Sequence, residues 1–156
     1  MAEGFQPGGA EQEQNAQETI QALRETVDRL QRLRSGLFAA QGLTEQQFNV
    51  LRILRAAGPG GLPTLQVAKR LIEQTPGITR LLDRLEAKGM VRRERPGRDR
   101  RQCHGFITAA GLEVLERIEP VAEACCVDFL SGLSEGQRKT LDRILKVLRS
   151  GNGVPG

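Results

Sequence analysis

The sequence predicts a mainly α-helical fold that carries one small β-hairpin. Three observations predict it. Apolar residues recur at helical spacing over most of the 156-residue chain. Two capping boxes and two glycine stops punctuate that pattern as helix ends do. One stretch, Met90 to Thr108, instead reads as two short strands around Pro96-Gly97, the pattern of a hairpin.

Each element follows in order. Residues 1–14 are rich in Gly, Glu and Gln with little that is apolar, and are expected to form a disordered tail. From about Asn15 to Ala40, Ile20, Leu23, Val27, Leu30, Leu33 and Leu37 follow one another at steps of three or four residues. Such a narrow stripe packs on a partner helix or forms the inner face of an ordinary core helix; the pattern alone leaves both open. Thr44-Glu45-Gln46-Gln47 is a capping box that opens a second helix, with Phe48, Val50, Leu51 and Leu54 inward. Gly58-Pro59-Gly60-Gly61 ends it.

A third, short helix is expected from about Thr64 to Leu71, with Leu65, Ala68 and Leu71 inward. Thr75-Pro76 begins the next, because proline suits a first helical turn and Thr75 or Gln74 can cap it. Ile78, Leu81, Leu82 and Leu85 supply its inner face, and Gly89 closes it. Two short helices joined by a tight turn form a helix-turn-helix, and the hairpin that follows is a wing. Thr108 caps a long helix to about Leu130, in which Pro120 is expected to produce a kink or break. Ser134-Glu135-Gly136-Gln137 is the second capping box and opens a last helix with Leu141, Ile144, Leu145 and Leu148 on one face.

Composition narrows the function. With one histidine, His104, and no Trp or Tyr, no nucleophile, base and oxyanion donor can be assembled, so no enzyme is expected. The chain shows no Gly-rich phosphate loop and no standard zinc spacing, so neither a cofactor nor a metal is expected. No apolar run is long enough for a bilayer and the N-terminus lacks a secretory pattern; a cytoplasmic protein is the expectation. The net charge is +4, and it is concentrated. Between Arg80 and Arg101 nine basic residues stand against four acidic ones, while the rest of the chain is close to neutral. A local basic patch of this kind suits phosphates.

Groove geometry says which residues would use it. The major groove of double-stranded DNA admits one α-helix, led by its N-terminal residues. Here those are Thr75, Pro76, Gly77, Thr79 and Arg80. Gly77 permits close backbone approach, Thr79 can hydrogen-bond or touch a thymine methyl, and Arg80 can hold guanine with two hydrogen bonds. Arg84, one turn later, suits a phosphate. The other reading of Arg80 and Arg84 is a solvated face paired with Asp83 or Glu86. At the hairpin tip, Arg98, Arg100 and Arg101 can reach a narrow minor groove, with Asp99 directing an arginine.

The chain resembles the MarR family of bacterial transcriptional regulators. The resemblance lies in Leu43-Thr44, Gln47-Phe48 and Val50-Leu51, in the run from Thr79 to Arg93, in Asp99-Arg100-Arg101 and in Ile107 to Gly111. It spans about residues 15–148. It implies a winged helix-turn-helix over 44–108 and a helical dimerisation region from 15–42 and 109–150, within one domain of residues 15–150. It implies a homodimer on a pseudo-palindromic operator, with Arg80 at a base and Arg101, oriented by Asp99, in the minor groove. It also implies repression relieved by a small-molecule effector bound between the dimer helices and the winged helix.

Three departures from that pattern carry expectations. Ile72-Glu73 replaces the glycine and apolar residue usual in the helix-turn-helix turn. Gly105 replaces an apolar strand residue, so the second wing strand is expected to be weak or bulged. No cysteine lies in the first helix, where the peroxide-sensing branch keeps its thiol. Cys103, Cys125 and Cys126 define the alternative, a thiol-based redox sensor or, less well supported, a metal sensor on the same scaffold.

Overall fold

The computed structural model describes residues 8–71, 77–95 and 103–151. Six helices and three short strands follow in the order α1 (Gly8–Ala40), α2 (Glu45–Ala57), β1 (Leu62–Pro63), α3 (Thr64–Arg70), α4 (Ile78–Ala87), β2 (Val91–Glu94), β3 (His104–Ile107), α5 (Ala109–Leu130) and α6 (Glu135–Ser150). A single 3₁₀ turn, Gly58–Gly60, closes α2. No helix among the described residues is long and apolar enough to cross a membrane.

Local chemistry sets most boundaries. Both capping boxes form: Thr44 and Ser134 accept from the amides of Gln47 and Gln137, whose side chains accept from the cap amides in return. The reciprocal bonds satisfy donors that a helix start otherwise leaves open, and they explain why Gln47 is buried without cost. Thr108 caps α5 through Gly111. At the other end of α4, Gly89 adopts a left-handed φ of +69°. Its amide reaches Glu86 O at 2.8 Å and the Met90 amide reaches Leu85 O at 3.0 Å, the paired bonds of a Schellman stop.

Four expectations are corrected. Helix α1 begins at Gly8, so residues 8–14 of the expected tail are helical; the Glu11–Gln14 run consists of good helix formers. In α3 the buried residue is Val67, whereas Leu65 is 74% exposed. Of the two outcomes expected at Pro120 the break does not occur, since α5 runs from Ala109 to Leu130 as one helix. Strand β3 has no bulge at Gly105: Val91, Arg92, Arg93 and Glu94 pair in register with Ile107, Phe106, Gly105 and His104. Gly105 is buried, and its face of the strand packs toward Leu54 and Leu82. The sheet also gains a strand, since Leu62 and Pro63 of β1 pair with Gly105 and His104. The unusual Ile72-Glu73 turn lies outside the described residues.

One core holds these elements together. Phe38 and Leu43 close the end of α1 over Phe48, Leu51 and Leu54 of α2, with the Phe38 and Phe48 rings 4.8 Å apart. Leu82 and Leu85 of α4, Val91 of β2, and Leu115 and Ile118 of α5 complete it, all essentially sealed from solvent. Each such side chain contributes roughly 1.5–3 kcal/mol on burial. By contrast, α6 buries nothing, and the middle of α1 keeps Ile20, Leu23 and Val27 exposed.

A polar tie joins α2 to α5. Arg55 grips Glu119 with both terminal nitrogens at 2.8 and 2.5 Å, and Arg52 stands 3.7 Å away. The hydrogen bond from Arg55 holds the Glu119 carboxyl below the usual carboxylate range, against the opposing pull of burial. A lowered folded-state pKa means stability that is complete above the unfolded value and lost as pH falls through the folded one. Glu119→Gln is therefore expected to lower Tm by about 2–3 °C at pH 7, for a solvent-screened pair contributing about 1 kcal/mol or less. The gap should narrow below about pH 4. Thermal melts of both proteins from pH 3 to 7 check it; a gap that does not change with pH would contradict it.

Candidate nucleic-acid interface

Helix α4 has two chemically distinct sides. Leu81, Leu82 and Leu85 enter the core. That burial fixes the opposite side, so Thr79, Arg80, Asp83 and Arg84 face outward. The helix starts at Gly77, which stands at the cap position with φ +122° and supplies no side-chain cap. This conformation favours glycine, and the space where a Cβ would stand is open. Gly77, Thr79, Arg80 and Arg84 thus gather on one exposed end and flank of a helix anchored from behind. Thr75 and Pro76, expected to lead this helix, lie outside the described residues, as do Arg98, Asp99, Arg100 and Arg101 at the hairpin tip.

The reading that paired Arg80 or Arg84 with Asp83 or Glu86 is not what the fold does. Both carboxylates turn to Arg93 on β2. Its Nε donates to Glu86 at 2.9 Å, and its Nη2 donates to Glu86 at 2.6 Å and to Asp83 at 2.5 Å. The backbone amide of Arg93 donates to the second Glu86 oxygen at 3.1 Å. The Glu86 hydrogen bond is the main cause of a raised Arg93 pKa, so this cation stays charged at any ordinary pH. Among the described residues neither Arg80 nor Arg84 has an ion-pair partner.

The neighbouring cations are arranged differently. Arg92 pairs with Glu94 and stacks its guanidinium 4.2 Å from the centre of the Phe106 ring. Lys88 donates to the Gly42 carbonyl and braces the α1–α2 turn. Beside α4, a groove of about 520 Å³ runs between Thr64 and Leu65 of α3, Lys69, Thr79, Arg95 and Cys103. The exposed Leu65 opens onto it. Sequence reasoning missed both Arg93 and Leu65 as parts of this face. Arg93 was findable in principle: two residues beyond buried Val91, strand alternation puts it on the inward side. The three cysteines are half-buried free thiols, and the Cys126 sulfur accepts from Arg34 at 3.2 Å.

Comparison with known proteins agrees with this architecture. The MarR family model matches residues 43–103. The Escherichia coli K12 protein named transcriptional repressor MprA is 28% identical over 117 residues, covering 75% of this chain and 66% of that protein. A MarR transcription factor from Planctomyces limnophilus has a solved structure that is 36% identical, with a TM-score of 0.69, covering 84% of this chain and 95% of that one. A cysteine-to-serine mutant of MarR from E. coli, solved in complex with operator DNA, is 25% identical with a TM-score of 0.72, covering 82% and 91%. Helices α3 and α4 followed by an antiparallel strand pair, in a fold shared over 95% of a relative that is 36% identical, settle the assignment: the chain belongs to the MarR family of DNA-binding transcriptional regulators.

Proposed function

We propose that the chain is a cytoplasmic homodimeric repressor that binds a pseudo-palindromic operator and releases it when a small-molecule effector binds. The observation that carries the reading is the outer flank of α4, where Thr79 and two arginines without ion-pair partners among the described residues stand beside a wing. In this reading Thr75, Pro76, Gly77, Thr79 and Arg80 enter the major groove and Arg84 meets phosphate. Arg98, Arg100 and Arg101 follow the minor groove, with Asp99 orienting Arg101. Residues 44–108 bind DNA, and residues 15–42 and 109–150 pair with a second copy. The apolar residues left exposed on α1 and α6 support that pairing. The repressor named MprA and the operator complex of MarR support the direction of control and the ligand.

A cavity of about 440 Å³ between α1, α2 and α5 supports the effector step. Phe48, Ala122 and Val127 line it with Arg34, Arg52, Glu119 and Glu123, a mixture of apolar and charged groups that suits a small aromatic molecule with polar substituents. It borders both the dimer helices and the DNA-binding core, so a ligand there touches both.

Selection from a randomised duplex pool at two salt concentrations tests the reading. The expected product is a pseudo-palindrome with half-sites about one helical turn, ~34–36 Å, apart, bound less tightly as salt rises. Retention without sequence enrichment would overturn it. On the selected duplex, Arg80→Ala is expected to lose about 1–3 kcal/mol and to relax preference at one base pair per half-site. An equal loss on every sequence would make Arg80 a phosphate contact instead. Arg101→Ala should weaken binding and flatten an A/T preference at the wing-facing positions. Parent-like binding by that variant would remove the wing from the interface.

A further inference from the structure

We infer that Arg93 is a positioning residue for DNA recognition: by holding Asp83 and Glu86 against the wing, it keeps the arginines of α4 available to DNA. The inference rests on the reading that the outer flank of α4 meets DNA, and it concerns a residue of β2 that reaches that flank through Asp83.

The arrangement of charge on α4 raises the problem that Arg93 solves. Asp83 lies three residues after Arg80, and on a free helix an opposite-charge pair at that spacing attracts. Asp83 is also one residue before Arg84. Left alone, this carboxylate would draw on Arg80 and would stand as a negative charge among groups that must approach phosphate. In the fold it does neither. Asp83 Oδ1 lies 2.5 Å from Arg93 Nη2, and Glu86 receives three hydrogen bonds from the same residue, one from its backbone and two from its side chain.

The geometry makes the exchange one-sided. Arg93 sits on the inward side of β2, and its side chain is only 22% exposed. Its backbone amide is committed to Glu86, so the strand and the helix are locked in position together. Its Nε and Nη2 are likewise taken up by carboxylates. Arg93 therefore serves as an internal counter-charge, and both cations of α4, Arg80 and Arg84, are left without an ion-pair partner among the described residues. The same clamp fixes the direction of α4 relative to the wing, which follows it after a turn of only three residues, Lys88 to Met90.

Two roles are thus possible for one residue, and they are separable. A merely structural clamp holds two elements together. An electrostatic positioning residue also neutralises two carboxylates. Arg93→Gln removes both effects, whereas Arg93→Gln combined with Asp83→Asn and Glu86→Gln removes the clamp and the carboxylates together. The experiment measures affinity for the duplex enriched by the parent protein, at several salt concentrations, for the parent, both variants and Arg80→Ala. Circular dichroism and thermal melts establish that each is folded. Arg93→Gln is expected to lose at least tenfold in affinity, because Asp83 then occupies Arg80 and withholds it from the base it would read. The triple variant is expected to recover to within about threefold of the parent. Parent-like binding by Arg93→Gln would overturn the inference, and so would a triple variant no better than the single one, which marks a clamp alone. If Arg80→Ala also binds like the parent, the failure lies in the reading of α4 as the DNA-contacting helix.

Discussion

Replacing Ile144 and Leu148 together by glutamate is expected to yield a folded monomer that has lost at least a hundredfold in operator affinity. Helix α6 has no buried residue, yet it carries an apolar face, on which Ile144 is 48% and Leu148 61% exposed. Among the described residues eleven of the twelve exposed large hydrophobics lie on α1, α5, α6 or the α5–α6 turn, and the twelfth is Leu65. A soluble chain does not leave so much apolar surface in one region to water unless something covers it. Burying a leucine or isoleucine contributes roughly 1.5–3 kcal/mol, so two replaced by charge on each of two protomers removes about 6–12 kcal/mol from the proposed dimer. Neither residue touches the core between Phe38 and Ala122, so the DNA-binding half should remain folded. A monomer then holds one half-site, and the gain from linked binding, about 10²–10⁴, disappears. Sedimentation at micromolar concentration and titration of the selected duplex measure both effects. A parent protein that sediments as a monomer, or a double variant that remains dimeric, would contradict the assignment of this surface.

How much of this could be read from the sequence depended on how local its causes were. Thr44 with Gln47, and Ser134 with Gln137, interact within one helical turn, so four letters suffice to place a helix start. The inward face of α4 was legible because four apolar residues in eight fit only one side of a helix. In α3 two turns were too few. Leu65, Ala68 and Leu71 share one spacing and Val67 with Leu71 another, and the choice fell to the neighbouring helices, which took Val67. Strand β1 is two residues long and exists through distant partners: Leu62 lies opposite Gly105, and Thr64 donates to the Cys103 carbonyl from both its amide and its hydroxyl. Nothing within ten residues of Leu62 encodes that. The candidate site divides the same way. Arg80 and Arg84 were identified from their place on a helix, but their freedom from Asp83 depends on Arg93, ten residues away on another element.

Gly111→Ala is expected to lower Tm by about 4–8 °C and to weaken DNA binding as well, although residue 111 lies on α5, outside the helix-turn-helix. A Cβ there would stand 2.4 Å from the Met90 carbonyl oxygen and 2.8 Å from Cγ1 of Ile107. The first contact is with backbone, and that backbone is held. The Thr108 amide donates to Met90 O at 3.1 Å, and the Thr108 hydroxyl donates to Gly89 O at 2.6 Å while accepting from the Gly111 amide. Relieving the clash therefore requires moving the turn between α4 and β2 or giving up the cap of α5. Overpacking of this kind costs roughly 1–3 kcal/mol, and the obstacle here is carbonyl rather than a flexible side-chain tip, which places the cost at the upper end. Alanine returns about 1 kcal/mol by favouring the helix, leaving a net loss near 2 kcal/mol, or ~4–8 °C. Gly36→Ala is the control, because a Cβ at that position in α1 meets nothing within 4 Å, and it is expected to raise stability slightly. The effect on DNA follows from geometry: Met90 joins the end of α4, the helix proposed to enter the groove, to strand β2, so displacing its carbonyl tilts one against the other. Melting curves and duplex titration on both variants decide the matter. A Gly111→Ala protein that melts with the parent would mean the turn yields freely, and one that loses stability but not affinity would mean α4 and the wing bind DNA without a fixed angle between them.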